Sequence, residues 1–140
     1  MFNRVNSLVL IALLFVSAIA FAEDAVVIAN KNISVSEISS SDLRDIFNGD
    51  KSTLGPGTHV APVTLKGGPV HEAFLKTHLG KSDAAFRAAW RSQVFTGQGS
   101  MPKTFESEAA MIDYVAATPG AIGYVSKTTA HEKVKTLAVK

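Results

Sequence analysis

Cysteine is absent from the 140 residues, which excludes disulfides, thiolate metal sites and dithiol redox chemistry together. An excess of one charge is absent as well: 14 lysines and arginines stand against 12 acids, a formal charge of +2. No basic face for nucleic acid emerges. Lys127, Lys133, Lys135 and Lys140 gather near the C-terminus, but Glu132 and threonines dilute them into a solvated surface. Catalytic signatures are missing too. Gly97-Gln98-Gly99 is not followed by the Lys-Ser/Thr of a nucleotide loop, and no serine sits in a nucleophile-elbow context. "HEAFL" (71–75) lacks the second histidine of a zinc-hydrolase helix. No enzymatic activity, no metal and no cofactor are therefore expected.

One long apolar run is present, and it lies at the N-terminus. Arg4 precedes Leu8 to Ile19, interrupted only by Ser17, and Ala20-Phe21-Ala22 is a small-x-small cleavage pattern. This predicts a secretory signal peptide over residues 1–22, cut after Ala22. The mature chain would be a single domain, residues 23–140, with a formal charge of +1 once Arg4 is removed. An exported chain held by packing alone fits the bacterial periplasm.

Patterning predicts alternating strands and helices. "AVVIAN" (25–30) reads as a buried strand. Leu43, Ile46 and Phe47 recur at helical spacing behind a cap near Ser40 or Ser41, and Gly49 stops that helix. "HVAPVTL" (59–65) is extended, with Pro62 placing it at an edge or a strand end. Pro69 opens a helix through Val70, Phe74, Leu75 and Leu79 to Gly80. Ser82 caps another, with Phe86, Ala89, Trp90 and Val94 as its buried stripe and Phe95 also at core spacing. "TGQGSMPK" (96–103) reads as a loop. Ser107 starts a helix that ends at Thr118-Pro119-Gly120, and "AIGYV" (121–125) and "VKTLAV" (134–139) complete the set as strands. The fold class is α/β, a mixed sheet flanked by helices.

Candidate binding residues gather at helix starts, where free N–H groups favour an anion. Gly67-Gly68-Pro69-Val70 admits two readings. It is an oxyanion site made by backbone groups at Gly68, Val70 and His71, with Lys66 and a protonatable His71 beside them, or only a tight strand-to-helix turn. Ser39, Ser40 and Ser41 form a second hydroxyl-rich start; capping explains them, and Ser40 or Ser41 could add donors to a shared site. His71 and His78, seven residues apart on one helix, read as solvated or half-buried. Tyr124 could line a site, though burial of its ring is the simpler role.

The blocks "LRDIFNGDKSTLGPGTHVAPVTLKGGPVHEAFLKTHLG", a Trp-bearing helix with "FTGQG", and "VAATPGAIGYV" occur in an order that resembles the phosphate ABC transporter substrate-binding proteins of the periplasmic-binding-protein superfamily. The likeness is greatest to their short, single-lobe relatives. It implies one lobe of that fold, a phosphate or similar small oxyanion as ligand, and an ABC transporter permease or membrane sensor as partner. The family's Arg-x-x-Gly-Ser-Gly-Thr loop falls here with Thr64 at the arginine, Gly67 and Gly68 at Gly-Ser, and Pro69 and Val70 at Gly-Thr. Its side-chain ligands are thus replaced, and Pro69 removes one backbone donor. Two functions follow: recognition of an oxyanion for a transporter or sensor, or a ligand-free interaction module of the same fold.

Overall fold

The computed structural model describes residues 24–140; the expected signal peptide and its cleavage site lie outside them. Six strands form one mixed sheet in the order β2-β6-β1-β5-β3-β4. They are β1 (Ala25–Ala29), β2 (Glu37–Ile38), β3 (Ala61–Leu65), β4 (Lys103–Phe105), β5 (Ala121–Ser126) and β6 (Lys135–Val139). β1 runs antiparallel to both β5 and β6, whereas β2 is parallel to β6, and β3 is parallel to β4 and β5. Five strands therefore point one way and β1 the other. The mixed sheet was expected from the lack of a helical crossover before the last strand; its cause is that β1 inserts between β5 and β6.

The helices are α1 (Ser40–Phe47), α2 (Pro69–Phe74), α3 (Asp83–Phe95) and α4 (Glu108–Ala117). Tyr124 on β5 packs against Phe47 of α1 and stacks on Phe74 of α2, ring centroids 4.0 Å apart. The next residue back, Gly123, faces Met111 of α4. Since neighbours along a strand point to opposite faces, α1 and α2 cover one face of β5 and α4 the other. Gly120 shows why the turn into β5 needs glycine: its φ is +81°, and a Cβ there would lie 2.5 Å from the His59 carbonyl oxygen.

Several local expectations are corrected. The cap of α1 is Ser39, whose hydroxyl accepts from Asp42 N at 3.0 Å, while Ser40 and Ser41 are already helical. The helix from Pro69 widens into a π-turn over Leu75–Leu79 before Gly80 closes it in the left-handed conformation. β2 and β4 are additional strands, β4 beginning at the end of the expected loop. In α3 the expected cap Ser82 is present, and Phe86 and Trp90 are buried, but Val94 is 40% and Phe95 93% exposed. The stripe fails at its C-terminal end because α3 is anchored only as far as Gln93: Trp90 Nε1 donates to the Phe47 carbonyl at 2.8 Å and Gln93 Nε2 to the Asn48 carbonyl, two residues short of Phe95.

Candidate functional site

The five co-directional strands end on one edge of the sheet, and in open α/β sheets ligands bind outside such carboxyl ends. Three loops meet there side by side, because β5, β3 and β4 are neighbours. They are Lys66 to Gly68 after β3, Glu106 and Ser107 before α4, and the segment beyond Ser126. Gly67, Gly68, Pro69, Val70, Glu106 and Glu108 line a cleft of about 360 Å³ between the first two.

No acid adjoins the glycine pair in sequence, but the fold brings two to it. Lys66 Nζ pairs with Glu106 Oε1 at 3.0 Å on the exposed surface. Glu108, at the start of α4, accepts hydrogen bonds from the Ser126 N–H and, at 3.2 Å, from the Thr129 hydroxyl. Two carboxylates thus stand against one ammonium that is already engaged. At 4 Å an extra unit of like charge opposes an incoming anion by about 1 kcal/mol in bulk water and about 4 kcal/mol at the dielectric of a protein surface.

Of the expected donors, Lys66, Gly67, Gly68 and Val70 do share this one turn. The amides of Val70 and His71 lie in the first turn of α2, where they have no intrahelical acceptor, but Pro69 contributes none. Gly68 has φ +97° and accepts from Glu72 N at 3.0 Å through its carbonyl. The Val70 side chain is buried in the core. Ser40 and Ser41 stand elsewhere. They follow β2, four strand spacings from β3, or roughly 19 Å at about 4.8 Å each. Ser40 is also committed to the last strand, its N–H and hydroxyl donating to the Lys140 carbonyl at 2.8 and 2.9 Å. The two helix starts cannot grip one small anion together.

His71 is corrected most fully. Its ring is 1% exposed and turned into the core, away from the cleft. Nδ1 meets the Tyr124 hydroxyl, and Nε2 meets Asp83 Oδ1 at 2.7 Å. The Tyr124 oxygen already accepts from Leu65 N at 3.0 Å. One proton arrangement satisfies every partner: Tyr124 donates to Nδ1, and Nε2 carries the hydrogen that Asp83 accepts. Arg87 continues the row, with Nε donating to Asp83 Oδ2 at 2.8 Å and Nη2 donating to the Lys66 carbonyl at 2.6 Å. The row runs from the buried face of β5 to the backbone of the glycine turn and fixes how that turn leaves β3.

Electrostatics follow the same geometry. Desolvation alone would raise the Asp83 carboxyl, but the hydrogen bonds from His71 and Arg87, with the nearby guanidinium charge, outweigh it and hold its pKa below the ordinary value. Burial pushes the Tyr124 hydroxyl well above its ordinary pKa, so it stays protonated as a donor. His78, half-buried beside Phe74, is lowered by desolvation.

Sequence reasoning missed Asp83, Arg87, Glu106 and Glu108. Arg87 at i,i+4 from Asp83 was a readable local pair; nothing local announced that they would meet residues of β3 and α2. Among the described residues no cluster of three metal-ligating side chains occurs, and no helix is long and apolar enough to cross a membrane.

No family model matches the sequence, and none of the curated proteins compared with it matches. Solved structures do. An ABC-type phosphate transport receptor from Vibrio cholerae is 15% identical, with a TM-score of 0.55 over 82% of this chain and 45% of that one. A structure from Clostridium perfringens with bound phosphate, described as a phosphate ABC transporter substrate-binding protein, gives 17% and 0.64 over 82% and 44%. PstS from Borrelia burgdorferi gives 18% and 0.59 over 83% and 47%. The chain spans less than half the length of these neighbours. Its α/β architecture is that of about one half of a phosphate ABC transporter substrate-binding protein.

Proposed function

We propose that the chain is an exported, periplasmic, non-enzymatic domain of the solute-binding type that works by contacting a protein of a transporter or sensor, without holding a free oxyanion in its own cleft. One observation carries this reading: Glu106 and Glu108 line the cleft at the Gly67–Gly68 turn, and the two cations beside that turn are engaged, Lys66 by Glu106 and Arg87 by Asp83. The non-enzymatic part of this reading is consistent with the Asp83-His71-Tyr124 row, whose histidine and tyrosine are buried. Fold alone is a weak guide to activity.

A second reading, recognition of phosphate or a similar small oxyanion, is favoured by the neighbours whose descriptions name phosphate. The Lys66–Glu106 pair is exposed and of the kind that is worth little, so Lys66 could swing to an anion at small cost. Titration calorimetry of the purified domain with phosphate, and with sulfate as control, separates the two. No saturable heat below millimolar phosphate is expected. Saturable binding at micromolar concentration, lost in Lys66→Ala, would replace the first reading by the second.

A further inference from the structure

We propose that the C-terminal end of α3 and the loop that follows it form a docking surface for an acidic protein partner with an apolar pocket. This rests on the partner-binding reading and names its surface. Phe95 projects into solvent at 93% exposure, with Val94 and Met101 at 40% and 42%. These are the large hydrophobic side chains that stand exposed among the described residues. Beside them lies a groove of about 250 Å³ lined by Pro62, Trp90, Met101 and Tyr114. Met101 belongs both to the groove and to the exposed set, so the two meet there. Phe95 is about 140° around the helix from Trp90 and projects away from the groove, on the same face as Arg91 four residues before it.

Charge selects the partner. From Ala84 to Phe105 the chain carries Arg87, Arg91 and Lys103 and no acid. Arg87 is engaged by Asp83, and the Lys103 ammonium sits 4.7 Å over the Tyr114 ring. Arg91 is exposed, and among the described residues it makes no ion pair. Among the described residues, the carboxylate from another element that is hydrogen-bonded to this segment is Asp50, 3.4 Å from Gln93 Nε2. Aromatic residues, methionine and arginine enriched together, with acids depleted, are the composition of protein–protein contact cores, where buried aromatic and Arg anchors carry much of the affinity. A second copy of this chain would bring one basic face against another. A lipid surface would leave the groove without a complement, and the outer face of α3 offers it only Ala84, Ala85 and Ala88 ahead of the single ring.

The test places a photoreactive benzoylphenylalanine at position 95 of the full chain in the cells that make it, with the same group at Lys31, Lys76 and Glu132 as probes of other faces. The expected result is one protein adduct at position 95 that disappears when Arg91→Glu is added. The adduct partner, identified by mass spectrometry and purified, should bind the unaltered chain at least about tenfold more tightly than Phe95→Ser or Arg91→Glu, and more weakly as salt rises. An adduct with a second copy, with lipid, or with a protein indifferent to Arg91→Glu overturns the proposal, as does no adduct at 95. Adducts at the other positions would then keep the partner reading and discard this surface. No adduct anywhere, together with micromolar phosphate binding, would discard both.

Discussion

Tyr124→Phe removes one oxygen from the middle of the buried row and leaves the ring that stacks on Phe74. The packing term is thus held constant, and the loss is polar. Leu65 N–H loses its acceptor and His71 Nδ1 loses its donor, at sites where Tyr124 and His71 are 0% and 1% exposed. An orphaned buried group costs about 1 to 3 kcal/mol. Two of them, less the desolvation that the tyrosine hydroxyl no longer suffers, give about 2 to 4 kcal/mol. At about 4 °C per kcal/mol for a domain of this size, calorimetric Tm should fall by roughly 8 to 16 °C. The reasoning makes a further demand. In the Tyr124→Phe background, His71→Leu should cost at least about 1 kcal/mol less than it does beside the native Tyr124, because the pair is then replaced by apolar groups together. Asp83 is partly exposed and keeps Arg87, so it is not orphaned by that change. Urea denaturation of the four proteins closes the cycle. A Tyr124→Phe loss under about 0.5 kcal/mol, or strict additivity, would refute the claim that the row is a coupled buried unit.

Glycine substitutions should separate geometry from ligand recognition: Gly120→Ala, strained at φ +81° and 2.5 Å from a carbonyl, should cost about 2 to 4 kcal/mol. Gly67→Ala, whose Cβ meets nothing within 4 Å, should stay within about 0.5 kcal/mol of the parent by the same urea assay. Acid should weaken the fold in two windows. The His78 pKa is depressed by burial, so the folded state favours the neutral ring, and stability should decline as pH falls below about 6.5. Asp83 is also depressed, here favouring the carboxylate; its contribution is complete above about 3.9 and is lost as pH falls through the folded value. Urea midpoints against pH should flatten in the upper window for His78→Gln and in the lower for Asp83→Asn, and unchanged profiles would show that neither group is linked to folding.

Local chemistry was readable wherever it stayed local. Ser82 and Ser107 cap the helices that their position predicted, Pro69 opens α2, and the branched runs at Ala25, Ala121 and Lys135 are strands. The unread strands are β2 and β4, of two and three residues, too short for any period-2 pattern to show. Phe95 was misread for a different reason: spacing places a residue on a face of a helix but cannot say where the covering layer ends. His71 defied expectation because its partners lie 12 and 53 residues away, and a histidine's burial depends on whether such partners arrive.

The site itself was half readable, and the missing half is one of order. Helices that follow co-directional strands start at the same edge of a sheet, so Ser40 and Gly68 do share one rim. Whether they touch depends on how many strands intervene, and β6, β1 and β5 all stand between β2 and β3. Sequence adjacency favours neighbours; here the chain instead returns its last strand to pair with its first. That return carries Ser40 beyond reach of the glycine turn. The neighbour that β3 gains is β4, and with β4 come Glu106 and Glu108. A turn whose sequence offers an anion only glycines and one lysine is therefore supplied with two carboxylates by strand order alone, without any change at the motif.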